Sequence, residues 1–293
     1  MTDQRNPAAD RFTSENSVEH ANGPFAPDLL VEARGAVRLV TLNRPATRNA
    51  MVPTLHRALE ALWSHLAADP NARAVVLTGA GRAFSAGGDL DEMTAWSWDL
   101  DARRREIDGA RKLLTEIVQF PLPVIAAVNG PAVGLGCSLA ISSDVVMMAQ
   151  SAYLADPHVA LGLTAADGGA LLWPFLMGLL RAKEFLLTGD KISADDAVRL
   201  GLANHVVPDD ALLDRAMALA ERLAAYPPQA VRSTKLALNM HVRQVFSTVM
   251  EYALAEEYRS FDTPEHREAV RTLTGLMDAS YARSRQRRGG DRQ

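Results

Sequence analysis

Residues 124–140 read VIAAVNGPAVGLGCSLA: five strand-forming residues, Val124 to Val128, run into Asn129 and Gly130, and Gly134 and Gly136 then open a helical stretch. A strand that ends where glycines begin a helix is the join of an α/β domain, and it leaves the first helical amides without intrahelical acceptors. The same succession occurs upstream, where Ala74 to Thr78 (AVVLT) leads into GRAFSAGGDL at 81–90. Val37 to Leu42 (VRLVTL) forms a third such run. Between these runs, Leu55, Leu59, Leu62 and Leu66 fall on one helix face, as do Ile107, Ala110, Leu114 and Ile117. The fold class is therefore α/β.

The two glycine loops expose backbone amides that can meet an anion or a polarised carbonyl. Neither fits GxxxxGK[ST], and neither is a GxGxxG loop followed by an acid about twenty residues on, so nucleotide binding of those kinds is disfavoured.

With 48% hydrophobic and 23% charged residues, the 293-residue chain can bury a sizeable core as one large domain or two modest ones. A formal charge of −4 gives no general attraction to nucleic acid or an anionic membrane. Cys137 is the only cysteine, which rules out an intrachain disulfide framework and suits a reducing compartment, with the cytoplasm as the default. Residues 1–27 have no apolar core and read as a mobile arm. Residues 28–222 are expected to form the core domain, 223–282 a helical region and 283–293 a polar basic tail. Ser193, three residues before Asp196, predicts a helix start, with Gly201 at its end. The double proline at 227 and 228 predicts a break before a helix through Ala237.

Together with VRLVTLNRPATRNAM (37–51), GRAFSAGGDLDEM (81–93) and LLTGDKISADDAVRLGLANHVVP (186–208), the sequence resembles the crotonase superfamily, the enoyl-CoA hydratase/isomerase family. The resemblance implies a spiral of ββα units with a C-terminal helical region, assembled as homotrimers or homohexamers. It implies an acyl-CoA substrate, coenzyme A entering as part of that substrate, and no permanently bound cofactor. Two backbone amides would hold the thioester oxygen, and by motif they belong to Gly88 and Leu135. Ala86 would lie near the adenine, Asp89 and Leu90 beside the first amide, and Arg48 and Arg82 at the phosphates. Both arginines read equally as solvated surface groups. FDTPEHREAV departs from the wording common among relatives near the C-terminus, which puts phosphate contacts from that end in doubt.

The resemblance also implies two glutamates, and the matching positions here are Ser138 and His158. Adding water to an enoyl thioester needs a base for water and a proton donor for carbon, so the acid/base set must differ. His158 titrates near neutrality when unperturbed and suits general base work, or it is a packed, hydrogen-bonded residue. Asp167 is a proton carrier in an apolar wall, or a cap on the helix that follows it. Ser138 can hold a water or belong only to its helix. A Ser138–His158–Asp167 triad lacks a nucleophile elbow. Asp156, before Pro157, reads as a turn residue at the surface. The remaining histidines show no metal-binding spacing. Trp96, Trp98 and Trp173 suggest either a wide apolar acyl pocket or core packing.

Overall fold

The computed structural model describes residues 25, 27–96 and 98–275, so the arm before residue 25 and the tail at 283–293 lie outside the described residues. A hairpin of β1 (Leu29–Arg34) and β2 (Val37–Leu42) turns at Gly35, whose φ of +59° is a left-handed value that glycine adopts without a Cβ penalty. The chain then alternates through α1 (Pro53–Ala68), β3 (Ala74–Gly79), α2 (Leu90–Trp96), α3 (Leu100–Gln119) and β4 (Val124–Val128). It continues with β5 (Ala132–Val133), α4 (Leu135–Ile141), β6 (Val145–Ala149), β7 (Tyr153–Ala155), α5 (Gly169–Met177) and α6 (Leu179–Thr188). After β8 (Ile192–Ser193), α7 (Ala194–Leu200) and β9 (His205–Val207), the chain is mainly helical through α8 (Leu212–Ala224) and α9 (Pro228–Ser260), with a further helical stretch at 264–275.

The main sheet has the order β1-β2-β3-β4-β6-β9, antiparallel only at the first pair. Every residue of β4 and all but one of β3 are buried, as expected of parallel strands covered on both faces. Helix α8 packs across β2, β3, β4 and β6, while α3 packs on α1 and α9. The leucines at 55, 59, 62 and 66 are all buried in the core, which is the face their spacing predicts. A second sheet, β5-β7-β8, stands beside the main one.

Parallel pairing of β3 with β4 brings the carboxyl ends of both strands to one edge, where ligands collect in open α/β sheets. The loops that leave those ends touch through a Ser85–Ala132 bridge. Buried Asn49, at φ +57°, fastens them further: its Nδ2 lies 3.0, 2.8 and 3.1 Å from the carbonyl oxygens of Ala80, Ala83 and Phe84.

Two local expectations meet different outcomes. The Ser193 hydroxyl accepts from the Asp196 amide at 3.2 Å and Gly201 closes α7 in the left-handed conformation, as expected. The helix after Pro228, expected to end at Ala237, instead continues to Ser260. No glycine or proline occurs between Pro228 and Pro264, so nothing in the backbone chemistry stops it sooner.

Candidate active site

One cavity of about 630 Å³ runs along the edge where the two glycine loops meet, and it is lined by residues of both. Gly88 lies in the first loop. Its parallel bridge to Met51 is made by the flanking groups, with the Met51 amide donating to the Gly87 carbonyl at 2.8 Å and the Asp89 amide donating to the Met51 carbonyl at 3.3 Å. The Gly88 amide therefore takes no part in the bridge, and among the described residues it has no backbone acceptor. Leu135 is the first residue of α4, behind Gly134 at φ +51°. Its amide is likewise without a backbone acceptor, because a first-turn N–H has no carbonyl four residues before it within the helix. The close approach of the loops needs glycine at 87, where a Cβ would lie 2.6 Å from the Val133 carbonyl oxygen.

His158 faces this pair. A Cβ placed on Gly134 would lie 3.6 Å from His158 Cε1, an ordinary contact distance that sets the imidazole against the second loop. The histidine follows β7 and sits before a short 3-10 turn, Val159–Leu161. His266 Nδ1 donates to the Leu161 carbonyl of that turn at 2.8 Å, fixing it from the C-terminal side. Both ring nitrogens of His158 are paired: Nδ1 with Asp156, and Nε2 with Asp167 Oδ2 at 3.5 Å and Glu257 Oε1 at 3.8 Å.

Burial disfavours the His158 imidazolium, yet the charges of Asp156 and Asp167 outweigh it and hold the histidine well above its ordinary value. Burial pushes Glu257 well above the usual carboxylate range, and the negative charge of Asp167 adds to the effect. The site thus favours the protonated form of both His158 and Glu257. Asp156, His158 and Asp167 place atoms able to ligate a metal within 4.8 Å of one another.

Nine of the ten residues expected at the site line the cavity: Arg48, Arg82, Ala86, Gly88, Asp89, Leu90, Leu135, His158 and Asp167. Ser138 is buried beneath it, donating to the Gly134 carbonyl and to Asp167 Oδ1, each at 3.2 Å. It makes no bond to His158 among the described residues, so the hydrolytic triad order is not assembled. Among the described residues the Asp167 carboxylate meets Ser138 and His158 and accepts from neither the Gly168 nor the Gly169 amide, so it does not cap α5. Asp156 requires a correction: it is a buried group, 1% exposed, bonded to His158, because the turn before Pro157 faces inward. Trp96 lines the cavity, Trp173 is fully buried in the core, and Trp98 is 73% exposed with Arg267 over its ring, so only the first can touch a ligand here.

Sequence reasoning did not find Glu106 on α3 or Glu257 on α9, both of which line the cavity. A faint signal existed for Glu257, since Met250, Ala253, Leu254 and Glu257 share the buried face of α9 and a carboxylate there interrupts an apolar stripe.

Residues 32–280 match the family model described as enoyl-CoA hydratase/isomerase. The chain is 32% identical over 244 residues to the short-chain-enoyl-CoA hydratase of Clostridium acetobutylicum, covering 83% of this chain and 93% of that protein. It is 35% identical over 234 residues to the 2,3-dehydroadipyl-CoA hydratase of Escherichia coli, covering 80% and 89%. A crystal structure of an enoyl-CoA hydratase/isomerase from Mycobacterium paratuberculosis superposes with a TM-score of 0.81 at 50% identity, covering 84% of this chain and 98% of that one. A monofunctional enoyl-CoA isomerase from Mycobacterium smegmatis gives 0.64 at 33% identity, covering 76% and 99%. The spiral α/β architecture with its C-terminal helical region is the crotonase fold. On the family match and these relatives together, the chain belongs to the enoyl-CoA hydratase/isomerase family of the crotonase superfamily.

Proposed function

We propose that this protein converts an unsaturated acyl-CoA thioester through an enolate held by the Gly88 and Leu135 amides, with the His158–Asp167 pair moving the proton. The observation that carries the proposal is the single cavity in which two unspent backbone amides meet a paired histidine and carboxylate. Enolisation places negative charge on the thioester oxygen, and a preorganised amide aimed at such an oxygen contributes ~10² to 10³ in rate. The cationic His158 supplies a proton, and the Asp167 carboxylate beside it takes one. That division of labour suits moving a proton between carbons and stands in place of the two glutamates implied by the resemblance, at Ser138 and His158. Coenzyme A enters as part of the substrate. Arg48 and Arg82, both exposed at the cavity mouth, suit its phosphates.

The test is turnover of 2-enoyl-, 3-enoyl- and dienoyl-CoA esters of several chain lengths by the purified protein. Conversion of at least one series is expected, and binding of all of them without conversion would overturn the proposal. That outcome would favour a second reading, a CoA-thioester-binding protein without efficient chemistry, whose supporting observation is that His158 has no ring nitrogen left unpaired. A homotrimer or homohexamer is the assembly we expect, checked by light scattering.

A further inference from the structure

Glu106 and Glu257 enter the cavity from α3 and α9, two helices that pack on each other. Neither is needed for the proton transfer proposed above. Glu106 is half-buried and has no hydrogen bond or ion pair among the described residues. Glu257 is 5% exposed; its Oε1 lies at the outer limit of an ion pair with His158, and its Oε2 is buried without any partner. The same cavity is lined by Met93, Trp96, Leu161 and Leu163, apolar side chains that offer a carboxyl almost nothing to bond, and His56 acts on Glu106 only through its charge.

Two carboxyls facing an apolar space are costly, since a buried polar group without a partner loses its water bonds and gains nothing. Burial raises both from the ordinary carboxylate value, Glu257 well above it, which favours the protonated form that acts as donor and acceptor together. A hydrocarbon chain beside them would leave them unpaired. A chain ending in a carboxylate would bring negative charge towards these acids and Asp167. A hydroxyl or a ketone satisfies them.

We infer that the acyl group taken by this cavity carries a neutral oxygen function, hydroxyl or ketone, beyond its β-carbon, and that Glu106 and Glu257 receive it. The inference rests on the acyl-CoA proposal and narrows it to a substrate class.

Calorimetry with saturated acyl-CoA esters tests it, because these bind without needing turnover. Matched medium-length chains are compared in three forms, ending in a methyl, a hydroxymethyl or a carboxylate group, with keto analogues alongside. The hydroxylated or keto ester is expected to bind roughly tenfold more tightly than its alkyl match, the gain of one buried hydrogen bond, with the carboxylate form weakest. Glu106→Leu should erase most of that preference and Glu106→Gln should retain part of it, each variant being checked for its fold by circular dichroism. Equal affinities for alkyl and oxygenated esters, or a preference for the carboxylate form, would overturn the inference and leave the acyl-CoA proposal standing. Failure of every ester to bind would overturn both.

Discussion

The two walls of the cavity are built from different materials. On one side Gly88 and Leu135 present main-chain amides, fixed by a strand end, a helix start and the close contact of two glycine loops. On the other, Asp156, His158 and Asp167 present side chains held by mutual charge, and Glu257, from a separate part of the chain, stands beside them. The first wall depends on backbone shape, and on the proposed reading it tolerates a leucine at 135 because the donor would be the amide. The second depends on every partner being present. A buried charge that loses its counterpart is left uncompensated, which costs far more than the pair contributes. Such a fold can keep its backbone-built wall while its side-chain wall changes.

This contrast can be broken most severely at His158. Replacement by Gln removes the proton carrier and leaves three acids facing one another. The expected loss is ~10² to 10⁴ in kcat, the range of a positioned acid or base. Stopped assays on whichever enoyl-CoA the enzyme converts best would measure it, with circular dichroism to verify folding. A variant within about twofold of the parent would remove His158 from the mechanism.

The opposite wall is probed by Leu135→Pro, which deletes one N–H and nothing else of the donor set. Proline is favoured at the first position of a helix, so α4 should survive the change. We expect kcat to fall by ~10² to 10³. Leu135→Met keeps both the amide and the buried volume and should leave kcat close to that of the parent. If both variants lost rate equally, packing rather than the amide would be responsible.

The unequal legibility of the two walls in the sequence follows from the same difference. Backbone sites leave a compositional trace: Gly87 and Gly136 are there because a Cβ would collide with the facing loop, and Gly134 because its φ of +51° favours glycine, so the strand–glycine–helix pattern could be read directly. The strands before each loop were equally plain, being short β-forming runs with polar stops. Charge clusters leave no such trace. Asp156 before a proline looks like any surface turn, and only the inward path of the chain after β7 makes it a buried partner of His158. Glu257 sits in EYALAEEYRS, where glutamates are what a solvated helix would carry. Its role became visible only once α9 was seen to run back along α3 and α5, past the point where the double proline had suggested a shorter helix.

The side-chain wall should also leave a thermodynamic signature that the backbone wall cannot. His158 binds its proton more tightly in the folded protein than in the unfolded chain, where the ordinary value near 6.5 applies. The stability it contributes is therefore complete below pH 6.5 and is lost as pH rises from there towards the higher folded-state value. The slope from this one group reaches about 1.4 kcal/mol per pH unit within that window. Glu257 acts with the same sign from its lower starting point, since its folded-state value is also raised. Urea unfolding across neutral to alkaline pH should show the parent losing stability and His158→Gln declining less steeply. Parallel curves would mean that the histidine is not held as a cation.

The smallest effect is expected at the mouth, where Arg48 and Arg82 are exposed side chains rather than members of either wall. An exposed ion pair is weakened by water and by the entropy of a long side chain, so Arg48→Ala or Arg82→Ala should weaken CoA-ester binding only roughly two- to fivefold. That effect should shrink as salt is added, because exposed charges are screened within about 10 Å at 0.1 M ionic strength. It should appear in KM and leave kcat alone, since a contact at the phosphates is made equally before and during reaction. Arg48 carries one further constraint: its φ of +55° places it in the left-handed region, and its carbonyl accepts from the Ala86 amide at 2.9 Å. Alanine there must hold the same strained backbone. If Arg48→Ala lowers kcat as well as raising KM, the arginine's backbone bond to the first glycine loop, not its charge, is what reaches the Gly88 amide. The comparison would then extend outward, with the mouth belonging to the backbone-built wall.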